Sequence, residues 1–200
     1  NVPPMALSFW RWSIAFLVLA AIAWRPLWRG RAIIARNIPL LCAFGVFGVI
    51  GFSVPYYIGL EVTPAVNASV LNASGPILTL FLAMAFLGTR VKAIQVVGIA
   101  LAVAGALAII ARGSLTALLG LTINLGDIFL MAAFLSWAIY TVLFKWRPAG
   151  LEEMAFLAAM MGVSTVMMAP LYAYEIAVQG RTFELSEGNL FIISYTARFP

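Results

Sequence analysis

The sequence predicts an all-α polytopic membrane protein, and three observations carry that expectation. The composition is 64% hydrophobic and only 10% charged. The apolar residues gather into six stretches, residues 5–24, 38–60, 64–87, 93–111, 127–144 and 154–174. About 20 residues at 1.5 Å rise each cover the hydrocarbon core of a bilayer, so every stretch is long enough to cross. Lysine and arginine collect in alternate connections, as expected when basic loops stay on the cytoplasmic side.

The first stretch has Trp10 and Trp12 towards one end and Trp24 at the other, where indoles favour the headgroup level. Arg25, Arg29, Arg31 and Arg36 follow it as a basic loop. The second stretch contains Cys42 and a Pro55-Tyr56-Tyr57 sequence that should bend it near its outer end. The third carries Asn67, Ser69, Asn72, Ser74, Gly75 and Pro76, and is followed by Arg90 and Lys92. The fourth has Gly98, Ala102 and Gly105 at helical spacing, as the second has Gly45, Gly48 and Gly51, which suits close helix packing. The fifth places Trp137 at mid-helix and ends at Lys145, Trp146 and Arg147. In the sixth, Met154, Met160, Met161, Met167 and Met168 supply adaptable packing.

The intervening loops hold Arg112 and Arg181 and, with the adjoining helix ends, Glu61, Asp127, Glu175, Glu184 and Glu187. Residue 5 is therefore expected outside and residue 24 inside a cell (inner or plasma) membrane. This topology accounts for the net charge of +5, so no nucleic-acid partner is implied.

Composition also narrows the chemistry. There is no histidine, so imidazole-based triads and histidine zinc sites are absent, and a single cysteine allows no disulfide within the chain. No phosphate-cradling glycine loop is present. A Ser-Lys pair remains conceivable, but Lys92 and Lys145 fall at cytoplasmic helix ends. No catalytic residue, metal or cofactor is expected, and the protein is not expected to be an enzyme.

Weak self-similarity points to an inverted repeat. Pro4-Met5-Ala6-Leu7 resembles Glu153-Met154-Ala155-Phe156, and Asn37-Ile38-Pro39-Leu40-Leu41 resembles Asn189-Leu190-Phe191-Ile192-Ile193. Members of each pair would enter the membrane from opposite sides; chance likeness of apolar segments is the other reading. The 127–144 helix has no counterpart in the first copy. One helix missing before residue 1 would repair this and give five spans per copy and ten in the full protein. The chain would then hold spans two to seven and the start of eight: residues 1–112 a first repeat lacking its first helix, 113–126 a periplasmic connection, 127–200 a second repeat truncated in its third helix. An opening that reads as a loop and a finish inside an apolar run agree with this expectation.

Several local sequences carry a more specific resemblance. They are Pro3-Pro4-Met5-Ala6 with Arg11 beyond, Tyr56-Tyr57-Ile58-Gly59-Leu60-Glu61-Val62-Thr63-Pro64-Ala65, and Ala73-Ser74-Gly75-Pro76-Ile77-Leu78-Thr79. Phe86-Leu87-Gly88-Thr89-Arg90 leading to Gly98, and Gly126-Asp127 leading to Ser136-Trp137-Ala138, extend the pattern over nearly the whole chain. Together these resemble EamA-type members of the drug/metabolite transporter superfamily. Thr89 departs from the pattern, where the family usually has Glu, and a local loop change is expected there. The resemblance implies ten helices in two inverted repeats, cytoplasmic termini, and export or exchange of small metabolites, often amino acids or related compounds.

Six residues are candidates for a substrate cavity. Arg11 is the one charge well inside a span, either pairing with a substrate carboxylate or missing-helix polar group or snorkelling to the headgroups; its repeat counterpart is Met160. Asn72 and Pro76, four apart, share a helix face, and Pro76 frees the Asn72 carbonyl; they line a cavity or serve helix packing. Tyr56 offers a gate donor or an interfacial anchor. Trp137 and Tyr140 would wall a cavity suited to amphipathic solutes, because facing lipid would leave their N–H and O–H groups without partners.

The expected function is alternating-access export or exchange of a small-molecule substrate within the lipid bilayer, with small-residue faces allowing a homodimer. No acid or histidine lies at mid-membrane to carry a coupled proton. A non-transporting membrane subunit or scaffold, and a flippase of lipid-linked sugars from the same superfamily, are the alternatives.

Overall fold

Proline and glycine divide the chain into its helices. The computed structural model describes residues 4–111 and 124–179, and every regular element among them is helical. Most of the 113–126 connection, Arg112, Arg181, Glu184, Glu187 and the 189–193 repeat partner lie outside the described residues.

Helix α1 (Pro4–Ile22) opens on a proline, tolerated where the N–H has no intrahelical acceptor anyway. Ala23 leaves helical geometry (φ −97°, ψ 18°), and Pro26 has no N–H for the Ile22 carbonyl, so α2 (Trp24–Arg36) is a separate helix. This corrects the expectation of a basic loop. Arg, Leu and Ala favour helix, and the segment has apolar and basic sides to present to different surroundings. Asn37 closes α2 by donating its side-chain Nδ2–H to the Ile33 carbonyl (2.8 Å).

Helix α3 (Ile38–Gly45), a π-helical turn at Val46–Ile50 and α4 (Gly51–Val62) form one helical run. Pro55 lies within α4, and the irregularity in this run is the π turn preceding it, not a break at the proline. Pro64 caps α5 (Ala65–Asn72); α6 (Gly75–Leu87) ends in Gly88 at φ 61°, a left-handed residue that suits glycine. Then come α7 (Ala93–Ala111), α8 (Leu125–Leu143) with a 3-10 turn at Phe144–Trp146, and α9 (Glu153–Gln179).

Among the described residues, five helical segments are long and apolar enough to cross a membrane: Met5–Ile22, Ile38–Val62, Ala65–Leu87, Leu125–Trp146 and Glu153–Ala177. Ala93–Gly105 adds a shorter apolar stretch where a sixth span is expected. Apolar side chains such as Leu101, Phe86 and Val166 are exposed, as a lipid-facing surface allows. The chain is a multi-pass membrane protein.

The helices gather into two compact units. One comprises Asn1–Ile50 and Trp146–Pro200, the other Gly51–Lys145, so the units cross the boundaries expected for the repeats. In the first, α9 packs along α1 and α3. Phe9 stacks on Tyr172 (4.9 Å), Phe44 meets Phe156 edge-on (5.0 Å), and a side chain at Gly45 would strike Ser164 Oγ at 2.7 Å. Met160 and Met168 are buried here, in keeping with a packing role. The buried Glu175 carboxylate accepts the backbone N–H groups of Met5 (3.2 Å) and Ala6 (2.8 Å), capping α1 from the far end of the sequence.

In the second unit α8 is central, packed by α4, α5 and α6. Gly59 and Gly126 let α4 and α8 approach: a Cβ on Gly126 would lie 2.7 Å from the Gly59 carbonyl oxygen. By contrast, Gly98 and Gly105 have no atom within 4 Å of where a Cβ would stand, so the close packing expected on that face is not made among the described residues.

Candidate functional site

The start of α8 is fixed by a polar cluster. Asn124 and Asp127 form a capping box: the Asp127 N–H donates to Asn124 Oδ1 (3.1 Å) and the Asn124 N–H to Asp127 Oδ2 (2.9 Å). Thr63 donates to Asn124 Oδ1 (3.1 Å), and the Asn67 carboxamide donates to Asp127 Oδ2 (3.3 Å). These bonds tie α4 and α5 to the first turn of α8, and so set which of its faces meets each neighbour. The residues of the Gly126-Asp127 pair thereby acquire distinct physical roles, close approach and capping.

The next feature is a break between α5 and α6. Asn72 ends α5, Ala73 and Ser74 form a turn, and Gly75 begins α6. Pro76 has no N–H for the Asn72 carbonyl, which leaves backbone polarity within a long apolar segment. The Ser74 hydroxyl donates to the Leu71 carbonyl and approaches Met131 Sδ at 3.7 Å, anchoring the turn to α8.

This break opens on a cavity of 740 Å³ within the second unit. Asn72, Gly75, Pro76, Thr79, Leu80 and Ala83 line one side, Phe134, Trp137 and Thr141 another, with Phe52 and Ile99 completing the wall. Phe52 lies 5.2 Å from both Tyr56 and Trp137, and Trp137 lies 5.0 Å from Tyr140. The aromatic row continues to Tyr57 at one end and Phe144 at the other.

Three of the six candidates, Asn72, Pro76 and Trp137, therefore share this cavity. Tyr56 and Tyr140 are not in its lining but contact the lining rings of Phe52 and Trp137. Arg11 is elsewhere: it belongs to the first unit, its guanidinium 4.9 Å from the Trp12 ring centre. Of the lining residues missed from sequence, Thr79, Phe134 and Thr141 obey a periodicity that could have found them, whereas Phe52 stands alone on its helix. Asn72, Pro76, Thr79 and Ala83 recur at helical spacing, as do Phe134, Trp137 and Thr141.

The lining is mostly apolar, and the polar groups it holds are uncharged. Thr79 and Thr141 donate to the carbonyls of Gly75 (3.0 Å) and Trp137 (2.9 Å), which leaves their oxygen lone pairs as acceptors. The Asn72 carboxamide and the Trp137 indole N–H make no hydrogen bond among the described residues and so can serve a solute. The described residues contain no cluster of three His, Cys, Asp or Glu side chains that could hold a metal ion.

The sequence matches the EamA-like transporter family over residues 1–111, more than half of the chain. The chain belongs to the EamA-like transporter family. Within the family match lie α1 to α7, including the α5–α6 break. An uncharacterized transporter, YyaM, of Bacillus subtilis (strain 168) is 29% identical over 140 residues, 70% of this chain and 46% of that protein. A probable terminal-alkyne amino-acid exporter of Streptantibioticus cattleyicolor is 36% identical over 107 residues, 54% of this chain and 35% of that protein. The chain thus spans less than half the length of these curated relatives. No solved structure gives a significant match.

Proposed function

We propose that the protein is a membrane carrier, not an enzyme, that exports or exchanges small metabolites, amino acids or related compounds, by alternating access. The observation that carries the reading is the cavity at the α5–α6 break, with its uncharged polar groups set in an aromatic wall. Carriers commonly place their sites at discontinuous helices, where backbone groups freed from helical bonding meet the solute. Aromatic walls suit an apolar side chain, and Asn72, Trp137 and the threonine oxygens suit amino or carboxyl groups.

The inverted repeat, with residues 1–112 and 127–200 as its copies, belongs to the same proposal. The pairing of α1 with α9 in one unit, two helices whose opening sequences resemble each other, supports it. A homodimer through the unpacked Gly98 face is also proposed.

The test is counterflow of labelled amino acids in liposomes holding the full-length protein, with Asn72→Ala and Arg11→Met beside wild type. Saturable exchange that Asn72→Ala abolishes and Arg11→Met preserves supports a site at the break. Exchange that Arg11→Met abolishes and Asn72→Ala leaves intact moves the site to α1. No exchange of amino acids, drugs or lipid-linked sugars by folded protein overturns the carrier reading in favour of a scaffold.

A further inference from the structure

A second recess lies in the other unit, where α1 meets α2. Ala20, Trp24, Leu27 and Trp28 enclose an apolar groove of 540 Å³. Trp24 and Trp28 are 60% and 67% exposed, which is costly in water and natural against lipid.

The sides of α2 are chemically distinct. Gly30 is buried against the Leu151 side chain, which fixes the inward side. Trp24 and Trp28, four apart, share an outward side; Arg25, Arg29 and Arg36 recur at helical spacing beside them. Arg25 and Arg31 hold their guanidinium groups over the Trp24 and Trp28 rings, at 5.3 and 4.6 Å. None of the four arginines of α2 has a carboxylate partner among the described residues, and the sequence has no acid before Glu61.

We infer that the α1–α2 junction binds an anionic phospholipid, one acyl chain lying in the groove and the phosphate held by Arg25 and Arg29. Charge decides the occupant. A zwitterionic lipid or an apolar helix would fill the groove but leave the arginine row without a counter-charge, whereas an anionic diester supplies both. Basic helices carrying tryptophan lie in the headgroup layer for the same reason. The groove shares no lining residue with the cavity of the other unit, and the inference does not depend on the transport reading.

The test uses full-length protein in nanodiscs of mixed phosphatidylglycerol and phosphatidylcholine, with brominated acyl chains on one lipid or the other. Subtracting the emission of a Trp24→Phe/Trp28→Phe variant isolates the two indoles. Brominated phosphatidylglycerol is expected to reach half-maximal quenching at about one-fifth the mole fraction that phosphatidylcholine needs, the factor a single arginine near an anionic surface supplies. High salt, and an Arg25→Gln/Arg29→Gln variant, should bring the two lipids level while quenching by phosphatidylcholine persists, which shows the groove intact. Equal quenching by both lipids in wild type overturns the anion site. Insensitivity to both overturns it too, and assigns the groove to another segment of the protein. Should the double variant fail to fold, the wild-type comparison and its salt dependence decide alone.

Discussion

Glu175 offers the sharpest test of how the first unit is held together. Pro4 opens α1 at a position whose N–H would have no intrahelical acceptor, and the next two N–H groups, of Met5 and Ala6, which lack one as well, point at the Glu175 carboxylate. The side chain is 1% exposed, so water cannot replace it. Glu175→Leu would strand both donors, at about 1–3 kcal/mol for each unsatisfied buried group. A total near 3 kcal/mol lowers the apparent Tm by roughly 6–12 °C for 150–250 residues, and by less in a longer chain. Glu175→Gln keeps one acceptor oxygen and should lose about half as much. The assay is thermal unfolding of purified full-length protein in detergent, followed by fluorescence. The reasoning is refuted if Glu175→Leu melts within a degree of wild type, or if Gln is as damaging as Leu.

The glycines give predictions of opposite sign. Gly126→Ala, whose Cβ would press on the Gly59 carbonyl at 2.7 Å, should destabilise by about 1–3 kcal/mol of overpacking, read as a lower Tm. Within one chain Gly98→Ala meets nothing within 4 Å and should raise Tm, since alanine favours a helix over glycine by about 1 kcal/mol; a fall would instead support the proposed homodimer or other packing through this face. Asn124→Ala removes the capping box of α8 and should cost about 1 kcal/mol in the same melt. Trp137→Phe keeps a ring beside Phe52 and Tyr140 but loses the indole N–H, and should weaken half-saturation in counterflow about threefold to tenfold; unchanged half-saturation would remove that N–H from the site.

What was legible in the sequence is what the bilayer dictates. Long apolar runs can only be helices there, and each of the five crossing segments overlaps a stretch read from composition and length. The pairing of Asn72, Pro76 and Trp137 was legible for a related reason, since polar and helix-breaking residues at membrane depth must face protein or a cavity. Helix α2 was not, because a run of arginines satisfies the charge rule for a loop and the pattern of an amphipathic helix equally well. Nor was Glu175, which from sequence is one more acid at an outer helix end. Its partner is a pair of backbone N–H groups about 170 residues earlier, and backbone donors leave no mark in a sequence. The π turn at Val46–Ile50 escaped similarly, Pro55 being the more obvious breaker in the same run.

The uncharged lining of the cavity bears on the proposed transport cycle. A carrier must bind its solute on one side and release it on the other, so a site that binds too firmly stalls. A buried arginine or aspartate facing a zwitterion would form an ion pair of low dielectric, strong once made and slow to part. Asn72, the Trp137 N–H and the two threonine oxygens instead offer single hydrogen bonds worth roughly 0.5–1.5 kcal/mol each, a sum that can be dismantled stepwise. The same break that exposes these groups interrupts the helix between Asn72 and Gly75, where the Ala73 and Ser74 N–H groups make turn-type bonds to the Val70 and Leu71 carbonyls and Pro76 offers no N–H to Asn72. On this reading binding and movement are coupled at one place, because a solute gripping Asn72 at the end of α5 and Trp137 on α8 touches both the break in the Ala65–Leu87 span and the helix that span packs against.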